Sequence, residues 1–196
     1  MPSRKDELIE SLIAYFLEHG LSDSSLRPLA AGTGTSARLL IYHFGSKEGL
    51  LTEVLEAMQA HVQRSFQTLQ QRSHPARGKA REAPLKLFWT WAIAANNYPY
   101  LKRLYELQML ALHDPDNYAK YLERNAKSWF EIALGAMSDP LRSPELATLC
   151  AAVFDGLFIE LMATGERKRT TLALDCFIKI ANQSSAASAS APKARR

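Results

Sequence analysis

The chain has 196 residues, 47% hydrophobic and 22% charged, which suffices to bury a sizeable core as one or two small domains. Its two cysteines, Cys150 and Cys176, lie inside apolar helical patterns rather than in a C-x-x-C pair, so neither a disulfide framework nor a zinc site is indicated. The formal net charge of +4 divides into −2 over residues 1–64 and +3 over each of 65–185 and 186–196, so a basic balance does not by itself mark the N-terminal third as a nucleic-acid surface. Arg4 and Lys5 are followed by Asp6 and Glu7 with no unbroken apolar run, against a secretory leader. Leu146 to Ala163 is interrupted by Asp155 and Glu160 and reads as a poor membrane span. The expectation is a cytoplasmic protein without membrane contact.

Residues 3–19 read as an amphipathic helix, with Leu8, Ile9, Leu12, Ile13, Phe16 and Leu17 at helical spacing and Ser3-x-x-Asp6 resembling a capping box. Gly20 ends it, with Leu21 placed to cover the last turn. Ser25 can cap a second helix from Leu26 to about Gly32, whose Pro28 falls in the first turn and removes only an N–H that had no partner. Gly34 supplies a turn that needs positive φ, and small Ala30 lets the next helix cross closely. Ser36 caps a third helix with Leu40 and Phe44 inward and Ala37, Arg38, Ile41 and Tyr42 outward. This is a helix-turn-helix pattern, and Thr35, Ser36, Ala37 and Arg38 are placed by position to reach base edges. Arg38 is the foremost reader, because a guanidinium can bond guanine O6 and N7 together.

The first helix, the Ala30 to Gly34 spacing, and Leu40-Ile41-Tyr42-His43-Phe44 followed by Ser46-Lys47-Glu48-x-Leu50-Leu51 resemble the TetR (tetracycline-repressor-like) family of transcriptional regulators over residues 5–55. The resemblance implies an all-α homodimer: an N-terminal three-helix helix-turn-helix domain joined by a long helix to a ligand-binding and dimerisation body, about nine helices in total. Tyr42, His43 and Lys47 match family positions that contact the DNA backbone, and Arg27 is likewise placed for phosphate. Ile41 stands where the family often has tyrosine and Arg38 where it often has a small residue, so the operator sequence does not transfer.

Ser46 can cap a long helix carrying Leu50, Leu51, Val54, Leu55, Met58, Val62, Phe66 and Leu69. Residues 71–83 lack apolar periodicity and contain Pro75 and Gly78, an exposed loop whose Arg72, Arg77, Lys79 and Arg81 read as a solvated face. The helical pattern resumes at Pro84, breaks at Asn97 to Pro99, resumes through Leu112, and opens again at Asp114-Pro115. Trp89, Ile93, Tyr105, Gln108, Met109, Trp129 and Phe130 from these helices, with Phe154 and Phe158, can line a small-molecule site, although an aromatic stripe at helical spacing also fits plain core. The resemblance implies a pocket in this body, and the absence of a cationic cluster favours an apolar or aromatic effector.

Ser143-Pro144-Glu145 opens a helix to about Thr164 that is apolar on more than one face, and Leu172, Cys176, Phe177, Ile180 and Ala181 form a last amphipathic helix. In TetR-like proteins the final two helices pair between subunits, which assigns Leu146, Leu149, Val153, Gly156, Leu157, Phe177 and Ile180 to a dimer interface. The reading therefore divides the chain into a DNA-binding domain at 1–48, a ligand-binding and dimerisation domain at 49–183 and a disordered tail at 184–196. No G-x-S-x-G, H-E-x-x-H or phosphate loop is present, and the five histidines lack metal spacing. The expectation is thus a non-enzyme without cofactor or metal: a repressor released from a palindromic double-stranded operator by a small-molecule effector. The alternative is a helical protein-binding adaptor without specific DNA recognition.

Overall fold

The computed structural model describes residues 3–20, 25–72, 83–137 and 142–190, with side chains to residue 183. The expectations for Leu21, for the basic loop beyond Arg72, for the 138–140 helix end and for 191–196 lie outside the described residues. Within them the chain is all-α: α1 (Arg4–His19), α2 (Leu26–Gly32), α3 (Ala37–Phe44), α4 (Lys47–Arg72), α5 (Pro84–Ala92), α6 (Tyr98–His113), α7 (Pro115–Ala136), α8 (Pro144–Thr164) and α9 (Arg167–Ser190). These helices form two compact units, one of Met1–Leu69 with Ala94–Asn125 and the other of Gln70–Ile93 with Ala126–Arg196.

The first unit contains α1 to α3, most of α4, α6 and the first half of α7. Ser3 and Asp6 close a reciprocal capping box, with Asp6 N–H donating to Ser3 Oγ at 3.2 Å and Ser3 N–H to Asp6 Oδ2 at 2.8 Å. The Ser3 N–H and the Ser3 hydroxyl, which both donate to Asp6 Oδ2 at 2.8 Å, hold the Asp6 carboxyl below its ordinary range. Leu8, Leu12 and Phe16, four residues apart, are buried on the inner face of α1, as are Leu29 of α2, Leu40 of α3 and Leu50, Leu51 and Val54 of α4, and α2 packs on both α1 and α3. Ser25 has extended N-cap backbone, but its hydroxyl makes no capping bond to α2, so the expected side-chain cap is not formed. Pro99, expected at a break, lies in the first turn of α6, where a missing N–H costs nothing.

Two glycines fix how closely the head helices approach. A Cβ on Gly32 would sit 2.2 Å from the Tyr15 ring of α1, and one on Gly49 would sit 2.3 Å from the Phe44 carbonyl oxygen. Gly49 N–H also donates to Ser46 Oγ at 2.9 Å, the expected cap of α4. The turn from α3 into α4 is therefore closed by backbone contact, with no room for a side chain.

In the second unit α5 packs on α8 and α9, which pack on each other. Trp89 is fully buried, and its Nε1–H donates to Thr171 Oγ1 at 2.9 Å, while Lys86 pairs with Asp175 at 2.6 Å. Ser143 caps α8 by accepting from Leu146 N–H at 3.1 Å. By length and composition α8 passes as a candidate membrane span, against the expectation from Asp155 and Glu160, and 22% of its apolar stretch is buried. Phe154, Phe158 and Leu161 face the unit's core and Leu149 and Ile159 face outward, so the high hydropathy comes from two apolar faces on one helix. Helix α9 runs to Ser190, past Ser184; alanine-rich sequence favours helix once a helix is under way.

Gly49→Ala should lower unfolding stability by about 1–3 kcal/mol because the Phe44 carbonyl cannot retreat without shifting backbone. Gly135→Ala, in α7 with nothing within 4 Å of the added Cβ, should instead be neutral or stabilising by up to about 1 kcal/mol. Urea unfolding of the two variants checks the contrast.

Candidate nucleic-acid interface

Helix α2 ends at Thr33, whose hydroxyl donates to the Leu29 carbonyl at 2.7 Å. Gly34 then takes φ +63°, in the region that glycine enters without steric cost, and Thr35 N–H returns to the Ala30 carbonyl at 2.9 Å. The Thr35 hydroxyl is buried and has no hydrogen-bond partner among the described residues. Ser36 accepts from Leu39 N–H at 3.2 Å and starts α3 as expected.

Burial of Leu40 and Phe44 fixes the rotation of α3. It leaves Arg38, Ile41 and Tyr42, at i, i+3 and i+4, on one outward face. Tyr42 is 80% exposed and Ile41 37%. His43 is half-buried, edge-on to Tyr42 with ring centroids 5.2 Å apart. Arg27 is exposed on α2, Ser36 is exposed at the N-cap, Ala37 is half-buried beside it, and Lys47 is half-buried in the first turn of α4. The ion pairs among the described residues do not engage Arg27, Arg38 or Lys47, whereas Lys5 is held by Glu53 at 2.6 Å and lies 5.4 Å from the Phe44 ring centroid. The outward face of α3 thus carries a guanidinium and a phenol, and Arg27 on α2 and Lys47 on α4 are, like Arg38, committed to no carboxylate among the described residues, an arrangement suited to an anionic polymer.

Residues 8–54 match the family model for bacterial regulatory proteins of the tetR family. Over 53 residues the chain is 42% identical to the HTH-type transcriptional repressor KstR2 of Mycobacterium tuberculosis. The likeness to the tetR family thus lies in the N-terminal domain. The matched stretch is 27% of this chain and 26% of that repressor, so this likeness covers the N-terminal head and not the body. Likeness in fold to solved structures extends over most of the chain. A transcriptional regulator from Rhodococcus sp. Rha1 superposes at TM-score 0.72 with 16% identity over 93% of this chain and 97% of that one. The multidrug binding protein EbrR complexed with imidazole superposes at 0.68 with 21% identity, covering 89% and 94%. A regulator from Saccharomonospora viridis in complex with choline gives 0.63 and 19%, covering 89% and 95%.

Beyond the N-terminal head, the residues expected to line a ligand site are distributed over the two units. Buried Tyr105, half-buried Gln108 and Met109, 39% exposed, belong to the first. Trp89, Ile93, Trp129, Phe130, Phe154 and Phe158 belong to the second. There the rings meet around Phe88, whose centroid is 4.6 Å from Phe154, 5.4 Å from Trp129 and 5.6 Å from Trp91. Sequence reasoning does not single out Phe88 as the hub, although Phe88-x-x-Trp91 is a helical-face pair. The first unit also has an open groove of about 920 Å³ lined by residues of both charges, among them Lys5, Glu48, Glu53, Glu56 and Arg124; no sequence motif marks it. Beside it, burial together with Glu48 and Asp114 pushes the Tyr118 phenol up to about 12, and burial near Glu56 pushes Tyr121 upward as well.

Of the residues expected at a dimer interface, Leu149, Gly156 and Ile180 are exposed and Leu146, Val153, Leu157 and Phe177 are half-buried. The exposed stripes are Leu149, Ala152, Gly156, Ile159 and Ala163 on α8 and Leu172, Cys176 and Ile180 on α9. Only the rotation of each helix against its own core distinguishes these sets, and sequence periodicity of a doubly apolar helix does not encode that rotation.

The division of α3 into a core face and a free face has a direct check. Phe44→Ala should cost about 3–5 kcal/mol of stability, and Tyr42→Ala should stay within about 0.5 kcal/mol of wild type, both read from denaturant unfolding. A large loss for Tyr42→Ala would mean that its ring is held by the protein.

Proposed function

We propose that the chain is a homodimeric transcriptional regulator, a repressor that occupies a palindromic operator and leaves it when a small molecule fills the body. The outward face of α3 carries this reading, because it unites a free guanidinium at the helix N-terminus with a free phenol and flanking cations in the family's register. Ser36, Ala37 and Arg38 read base edges, with Ile41 making apolar contact. Arg27, Tyr42, His43 and Lys47 hold phosphates and so set the register.

A second copy is the natural cover for the apolar stripes on α8 and α9, since Leu149, Leu172 and Ile180 are each more than half exposed. Twofold symmetry of the protein then asks for twofold symmetry of the site, with half-sites about one helical turn of DNA apart. The multidrug binding protein EbrR and the choline-bound regulator named above support a small-molecule effector, and the rings around Phe88 favour an aromatic or organic-cation ligand, which ring faces attract. Such a ligand releases DNA only by binding one arrangement of the heads more tightly than the other.

Selection of duplexes from a randomised pool tests the reading, with enrichment of an inverted repeat as the expected result; no enriched site at moderate salt would favour a protein-binding adaptor. On the enriched site, Arg38→Ala should cost about 1–3 kcal/mol and relax preference at one position of each half-site. Lys47→Ala should weaken all sequences alike and reduce the slope of log K against log salt by about 0.9 for each phosphate it leaves unneutralised.

Leu149→Glu with Ile180→Glu should convert the dimer to a folded monomer in sedimentation equilibrium. A double variant that remains dimeric would place the interface elsewhere.

A further inference from the structure

Helix α1 is gripped at both ends by cations within the first unit. Near its N-terminus Lys5 pairs with Glu53 of α4. At its C-terminus the contact is of another kind. Gly20 is buried, takes φ +72°, and returns its N–H to the Phe16 carbonyl at 2.9 Å. The guanidinium of Arg103, from α6, lies flat against it: Nη1, Cζ and Nη2 are 3.0, 3.2 and 3.4 Å from where a Cβ on Gly20 would stand. Glu106, one turn further along α6, accepts from Arg103 Nη1 at 2.6 Å and holds the group in place. The end of a helix carries partial negative charge from carbonyls that lack intrahelical partners, so this is where a fixed cation is favoured. The positive φ favours glycine, and a Cβ there would press on the guanidinium, which would have to give way by a few tenths of an ångström.

We propose that Arg103 is a positioning residue for DNA binding, through which α6 sets the pitch of α1 and, by way of the core that α1 shares with α2 and α3, the presentation of the reading face. The inference rests on the head being a DNA reader. Arg103 does not itself touch DNA; it acts on the far end of α1. Glu106 is the anchor that keeps the guanidinium from following solvent.

The test uses the full-length protein and the inverted repeat enriched by the wild type. Arg103→Ala and Arg103→Met should weaken operator binding about fivefold, the scale of a partly buried charge at a helix end. Arg103→Lys, which keeps the charge and gives up the flat face, should recover part of that affinity. The salt slope should equal that of wild type, because no phosphate contact is removed. Hydrogen exchange should quicken at the amides of Leu17 to Gly20 and stay unchanged around Trp89 in the second unit. Glu106→Gln should shift affinity in the same direction by a smaller factor and gives a second variant with the α6 side chain's size retained. Affinity within twofold of wild type for both Arg103→Ala and Arg103→Met would overturn the proposal, as would a salt slope reduced by one phosphate, which would make Arg103 a direct DNA contact. Failure of the wild-type chain to select any sequence would instead overturn the reading of the head and this inference with it.

Discussion

Two buried side chains on an eight-residue helix govern what the head can do. Leu40 and Phe44 lie one turn apart on α3 and are 0% and 7% exposed, and their burial leaves α3 a single rotation about its own axis. That rotation puts Arg38, Ile41 and Tyr42 in solvent. It also delivers the Phe44 carbonyl to Gly49, which fixes where α4 begins. A polar residue at either position would do more than open a cavity: it would remove the reason for α3 to face one way.

The fold is legible in the head because there local and global signals agree. Ser3, Ser36, Ser46 and Ser143 sit at helix starts in the sequence and cap helices in the structure. Gly34 stands where a turn needs positive φ, and it has it. Ser25 shows the limit: it occupies the N-cap position with the right backbone, yet its hydroxyl takes no part in the cap. Pro99 reads as a break because proline in a first turn and proline between helices look alike in one dimension. Spacing alone assigns Thr35 to base contact, and its buried hydroxyl is a matter of side-chain direction that spacing does not carry.

The body is legible in kind and much less in detail. Helices of the expected number and order are present among the described residues. Which face of α8 meets its own core depends on α5 and α9 arriving from distant sequence, and a helix apolar on two sides gives no hint of the choice. The same holds for the aromatic residues. Trp89, Phe154 and Phe158 read equally well as core and as lining, and their burial against Phe88 and Thr171 is a product of packing that residue types do not announce. Charged contacts are the least visible: Arg103 on Gly20 and Arg124 on Glu56 join positions 83 and 68 residues apart, with nothing local to mark them.

The wide outer face of α8 has a consequence beyond contact. Under the proposed pairing, covering it with a second chain ties folded stability to the amount of protein present. A scarce chain would be both unpaired and short-lived, and an abundant one both paired and durable. The cell's supply of the regulator would then control its turnover as well as its occupancy of DNA, giving a threshold in dose where a monomer would give a gradual response.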